Sequence, residues 1–187
     1  MKYLIVGLGN PGLDYYNTRH NIGYRVLDFL VGKSGISFTD KRYGFRSEIR
    51  HKGKTLILVK PTTFMNLSGK AVNYYLQKEK ITVEKMLIIV DDIALPFGTI
   101  RIKTRGGSGG HNGLQNIQDT IGDLNYNRLR FGIGNEFHQG SQTNYVLGEW
   151  SDEEKKNLEP KLIVACDAIL QFPLIGIERT MNFYNNK

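Results

Sequence analysis

Three polar residues stand where strands are expected to end or helices to begin. Asn10 follows the apolar run Tyr3–Leu8, Asp91 follows the run Met86–Val90, and His20 lies a short loop beyond Asn10 at a helix start. In α/β sheets, ligands bind beyond the carboxyl ends of the strands. If the two runs lie parallel, Asn10, His20 and Asp91 meet on one rim. A His beside a carboxylate is a general-base unit. The Asp accepts a proton from one ring nitrogen, fixes the tautomer and stabilises the imidazolium that forms. No Ser or Cys is placed as a nucleophile, because the single cysteine, Cys166, sits in an apolar helical stretch. Water is then the natural nucleophile. Each residue also has an ordinary structural use: a lone His near a helix start is commonly a surface group, Asp91 can cap a turn, and Asn66 can serve one.

Two glycine-rich stretches need weighing. Gly7-Leu8-Gly9-Asn10-Pro11-Gly12 matches the dinucleotide fingerprint G-x-G-x-x-G after a strand. In that fingerprint the helix opens inside the motif, and an acidic residue follows a second strand. Here Pro11-Gly12 and Asp14–Asn17 delay the helix to about residue 19, and Asp28 falls within the first helix. A nicotinamide-dependent oxidoreductase is therefore disfavoured. The second stretch, Gly106 to Gly113, contains Ser108, His111 and Asn112. It lacks the Gly-Lys-Ser/Thr ending of a P-loop. It reads as a loop whose backbone lets a ligand come close.

The elements that must position these residues alternate. After the first strand, Asn17-Thr18 offers a cap for a helix with Ile22, Val26, Phe29 and Leu30 on one face. Phe45–Arg50 and Thr55–Lys60 form a hairpin around Lys52-Gly53, and Pro61 stops it. Ser68 is expected to cap a helix carrying Val72 and Leu76. Ile100–Lys103 and Leu129–Ile133 read as further strands, and Leu114, Ile117 and Ile121 as a helix. The segment from Glu136 to Asn144 is polar and reads as a flexible loop. Ser151 with Glu154 is a capping box, and Pro173 is expected to break the helix it opens. The expected fold is an α/β single-domain three-layer sandwich over residues 1–187. Its twisted sheet is mixed and mainly parallel, with helices on both faces.

Composition narrows the partners. The chain of 187 residues carries 25 Lys and Arg against 18 Asp and Glu, a net charge of +7. Such an excess attracts polyanions, which makes nucleic acid a reasonable partner. No apolar run approaches the roughly 20 residues that cross a bilayer, and the first residues do not read as a signal peptide. A cytoplasmic protein with no membrane partner is expected. The four His show no ligand spacing, so neither a metal nor another cofactor is expected.

Four blocks together resemble the bacterial peptidyl-tRNA hydrolase family. They are Gly7–Gly12, Thr18-Arg19-His20-Asn21-Ile22-Gly23, Pro61-Thr62-Thr63-Phe64-Met65-Asn66-Leu67-Ser68-Gly69 and Gly109-Gly110-His111-Asn112-Gly113-Leu114. The resemblance runs in order from residue 3 to about 150. It implies hydrolysis of the ester between a peptide and tRNA, by a monomer without an obligate protein partner. His20 would be the base, Asp91 would hold it in its basic form, and Asn10 would tell a blocked amino group from a free one. Asn66 and Asn112 would bind around the ester and the tRNA end. Tyr15, Phe64 and Met65 would line the groove for the terminal adenosine and the peptide, and Lys103 and Arg130 would grip a tRNA phosphate. Ala94, Arg105 and Glu136 depart from the family pattern, where an acidic, a small and a basic residue are frequent. A non-catalytic RNA-binding relative of the splicing-factor type is the alternative.

Overall fold

The computed structural model describes all residues from 1 to 187. Seven strands form one sheet in the order β2-β3-β4-β1-β5-β7-β6. They are β1 Lys2–Gly7, β2 Thr39–Lys41, β3 Gly44–His51, β4 Lys54–Pro61, β5 Met86–Asp92, β6 Ile100–Lys103 and β7 Asn127–Gly132. The central strands β4, β1, β5 and β7 are parallel. The flanking strands β2, β3 and β6 run antiparallel to their neighbours.

The apolar runs are continuous because the sheet is buried on both faces. Side chains alternate along each strand. Ile5, Leu56, Leu58, Leu87 and Ile89 pack with helix α1 (Ile22–Lys33) and helix α5 (Asp152–Ile175). Leu4, Val6, Ile57, Ile88 and Val90 pack on the other face with α2 (Ser68–Glu79) and α3 (Asn112–Ile121). Short helices α4 (Gln142–Val146) and α6 (Ile177–Tyr184) complete the chain. The result is a three-layer sandwich with a mixed, mainly parallel sheet, as the apolar strands and helical periodicities predict.

The first glycine motif is a packing device. A Cβ on Gly7 would lie 2.2 Å from the Gly23 carbonyl oxygen, and one on Gly23 would lie 2.4 Å from the Leu8 nitrogen. The first turn of α1 thus rests on the end of β1 with nothing between them. That contact brings the helix start carrying His20 to the strand end carrying Asn10.

Several local expectations shift. Residues Arg19–Asn21 form a 3-10 turn and α1 opens only at Ile22. Thr18 makes no capping bond; its hydroxyl donates to the Tyr15 carbonyl. Ser68 is the first residue of α2 rather than its cap, and its hydroxyl turns back to the Met65 carbonyl at 2.7 Å. Pro173 does not break α5, which runs through Pro160 and Pro173 to Ile175. The stop falls at Gly176, whose φ of 83° lies outside helical space. The capping box at Ser151 and Glu154 is present with both bonds formed. Within the polar loop, Gln142–Val146 is helical. Tyr145 anchors that segment, donating from its hydroxyl to the Ile133 carbonyl at 2.5 Å and lying 4.2 Å beneath the Arg19 guanidinium.

Candidate active site

Because β1 and β5 are parallel neighbours, with Gly7 opposite Ile89, their carboxyl ends share one rim. His20 Nδ1 lies 2.9 Å from Asp91 Oδ2. Asp91 is buried, with its side chain 3% exposed. Its other oxygen, Oδ1, lies 2.8 Å from His111 Nε2. One carboxylate therefore holds two imidazoles.

The neighbours of His111 fix its tautomer. The backbone N–H groups of Gly113 and Leu114 both donate to its Nδ1, at 3.1 and 3.3 Å, which makes His111 the N-cap of α3. Nδ1 must then carry a lone pair, so the proton sits on Nε2 and is donated to Asp91. With one oxygen committed to His111, Asp91 presents the other to His20. His20 donates from Nδ1 and keeps Nε2, which has no protein partner, as the basic nitrogen.

Electrostatics agree with this reading. Burial alone lowers the pKa of His20, but the charge of Asp91 and the hydrogen bond to it outweigh burial and leave it above 6.5. For Asp91, burial pushes upward, yet the two imidazoles hold the carboxyl well below the usual carboxylate range. The three groups place their ligand-type atoms within 4.8 Å of one another. Chain spacing hides this, since 71 and 20 residues separate the partners. With these tautomers both facing nitrogens donate to Asp91, so the cluster is a proton-sharing array. A metal ion here would have to displace those protons.

Sequence reasoning gave His111 no role. The available signal was its place just before a helical apolar pattern, where caps occur. His111→Ala is expected to destabilise the fold by about 1 kcal/mol through the lost cap. The unpartnered Asp91 oxygen adds about 1–3 kcal/mol. Urea unfolding measures the sum, and a change below about 0.5 kcal/mol would contradict the double role.

Asn10 is fixed as firmly. Its Oδ1 accepts the Met65 backbone N–H at 2.8 Å, so its Nδ2 is the free donor. Its backbone is clasped by Asn21, whose Oδ1 accepts from the Asn10 N–H and whose Nδ2 donates to the Asn10 carbonyl, both at 2.9 Å.

A cleft of about 860 Å³ opens over these groups, lined among others by Asn10, His20, Asp91 and His111. Phe64, Met65, Asn66 and Asn112 also line it, as do Lys103 and Arg130. Tyr15 does not line it; it is half-buried in the turn before Thr18.

The family model described as peptidyl-tRNA hydrolase matches residues 4–187. The chain belongs to the peptidyl-tRNA hydrolase family. Similar relatives include the peptidyl-tRNA hydrolase of Phocaeicola vulgatus, 56% identical with all of both chains covered. That of Cytophaga hutchinsonii is 54% identical, again over all of both chains. Among solved structures, the peptidyl-tRNA hydrolase of Acinetobacter baumannii is similar, with a TM-score of 0.91 and 34% identity over 98% of this chain and 94% of that one.

In this family member the two cations read as phosphate ligands differ. Lys103 is exposed and makes no ion pair, whereas Arg130 Nη1 lies 2.6 Å from Asp92 Oδ2. Asp92 Oδ1 accepts the Ala94 N–H at 2.7 Å. A phosphate would therefore meet Lys103 free and Arg130 already paired. The neighbouring Arg128 is fully buried and donates to the carbonyls of Gly106, Leu124 and Tyr126. It ties down the start of the glycine-rich loop. The departures at Ala94 and Arg105 lie in the cleft wall, while Glu136 is exposed outside it.

Proposed function

We propose that this protein hydrolyses the ester joining a peptide to tRNA, with His20 activating water. The observation that carries the reading is the shared Asp91 carboxylate, which leaves His20 Nε2 basic at the wall of the cleft. Water attacks the ester carbonyl while His20 takes its proton. The tetrahedral intermediate collapses, the ribose oxygen leaves, and His20 returns the proton to it. Asn66 and Asn112, exposed and free of side-chain partners, supply uncharged donors around the ester. A donor aimed at the developing oxyanion lowers the barrier by roughly 3 kcal/mol.

Asn10 supplies the discrimination. Its Nδ2 donates and cannot accept, so it suits the amide carbonyl of a blocked amino group and offers nothing to a free ammonium. Phe64 and Met65 line the groove for the terminal adenosine and the peptide, with Tyr15 outside the cleft wall. Lys103, with Arg130 beside it, takes a tRNA phosphate. Such contacts give affinity without reading sequence, which suits an enzyme that accepts many tRNAs. We read residues 1–187 as one domain that works as a cytoplasmic monomer; no helix is long and apolar enough to cross a membrane.

Side-by-side incubation with N-blocked and unblocked aminoacyl-tRNA tests the reading. Release of tRNA from the blocked form alone, without added metal, is expected. Salt-sensitive tRNA binding with no hydrolysis at any enzyme concentration would instead favour the non-catalytic RNA-binding alternative.

A further inference from the structure

Outside the cleft, a group of cations rests on two tyrosine rings. Lys70, Tyr74 and Lys78 are spaced four apart along α2 and share one face. Leu67, three residues before Lys70, lines the catalytic cleft, so this face leads away from the cleft lip. Arg42 and Tyr43 form the turn between β2 and β3. Gly44 pairs with Pro61 at the carboxyl end of β4, and the Thr62 N–H donates to the Tyr43 carbonyl at 3.0 Å. Because β4 is parallel to β1, this turn stands on the same rim as Asn10. Tyr43, held at φ 63°, meets Tyr74 edge to face with ring centroids 5.2 Å apart. Arg42 lies 4.9 Å and Lys70 5.0 Å over the Tyr43 ring, while Lys78 lies 5.5 Å over that of Tyr74.

None of these three cations has a carboxylate partner. The acids nearest in sequence are Glu79, held by Lys2 and Arg46, and Asp40, which is in no ion pair. The ring faces hold the cations by cation–π attraction. Their rotamer freedom is partly spent before anything binds, which lowers the cost of binding.

We propose that Arg42, Lys70 and Lys78, set on Tyr43 and Tyr74, form a second phosphate-binding surface for the RNA body of the substrate, outside the catalytic cleft. The proposal rests on the reading of this chain as a peptidyl-tRNA hydrolase. RNA is the fitting occupant because it carries a charge at every residue, whereas the charge of a peptide changes with its sequence. The turn at Tyr43 flanks β3 near one sheet edge and Lys103 sits on β6 at the other. Five strand spacings separate β3 from β6, about 24 Å. Cations on both flanks suit a stem with two phosphate strands.

The triple variant Arg42→Gln/Lys70→Gln/Lys78→Gln tests this. The first reading is Kd for deacylated tRNA against salt. The second is kcat/KM on N-blocked aminoacyl-tRNA and on the corresponding N-blocked aminoacyl-adenosine. With three phosphates of a duplex stem lost, the slope of log Kd against log salt is expected to fall by about 2.7, and Kd to rise about tenfold or more. Activity on the full-length substrate should fall with it, and that on the adenosine ester should change less than about twofold. The charge-keeping variant Lys70→Arg/Lys78→Arg should retain binding. Unchanged Kd and slope would overturn the proposal, as would an equal loss on the short ester. A loss confined to acidic peptides, with tRNA binding intact, would assign the surface to the peptide and overturn it too. If the parent protein hydrolyses neither substrate, the functional reading fails, and the deacylated-tRNA arm still decides the surface.

Discussion

Asp91→Asn is expected to lower kcat by about 10²- to 10⁴-fold, the range of a lost general base. The carboxylate accepts two N–H bonds, but an amide offers one acceptor and one NH2. That NH2 must face either His111 or His20. Facing His111 Nε2, it would force the proton onto Nδ1, against the N–H groups of Gly113 and Leu114. Facing His20, it forces the proton onto Nε2, which has no protein partner to lose. His20 therefore flips, and its lone pair leaves the cleft. The variant also removes the charge that raises the pKa of His20, so burial acts unopposed and the value drops below 6.5. In the parent, kcat/KM should rise with pH through a midpoint above 6.5, because the neutral imidazole is the active form. In the variant that rise should move below 6.5 or vanish. A pH-rate series with imidazole NMR checks both, and a variant within about threefold of the parent would contradict the argument.

The variant should unfold more easily at neutral pH as well. A carboxyl whose folded pKa is depressed adds stability above its unfolded value near 3.9, and that stability is lost as pH falls through the folded pKa. His20 has the opposite sign. Its raised pKa adds stability that is full below 6.5 and is lost as pH rises through the folded value.

His20→Ala should reduce turnover by about 10²- to 10⁴-fold while the fold survives. His20 sits at the rim with its side chain 13% exposed, and His111 still holds Asp91 when it is gone. The cost in stability is that of one lost partner at Asp91 Oδ2, about 1–3 kcal/mol. Affinity for deacylated tRNA should not move, because His20 contributes no phosphate contact in this account. Loss of tRNA binding together with turnover would mean that the side chain shapes the cleft rather than acts on water.

The sheet and both helical layers were legible because the central strands are apolar on both faces and the helices carry their apolar residues on one side. The positions of Asn10, His20 and Asp91 followed from strand ends. Four features did not follow. His111 reaches Asp91 only because the glycine-rich loop returns over the sheet, which no spacing along the chain reveals. The pairing of Arg130 with Asp92 depends on the register of β7 against β5, in which Asp92 faces Gly132. The helical run through Pro173 defied a local rule, because Phe172 and Pro173 are buried and packing outweighs the missing N–H. The basic surface on Tyr43 and Tyr74 joins a turn to a helix and was equally hidden.

The central claim is that His20, freed as a base by Asp91, activates water on the ester of a blocked aminoacyl-tRNA. Single-turnover hydrolysis of N-blocked aminoacyl-tRNA by the parent and by His20→Ala, at saturating enzyme, tests it most directly. The account predicts rapid tRNA release by the parent and a rate about 10²- to 10⁴-fold slower for the variant. Equal rates would contradict it.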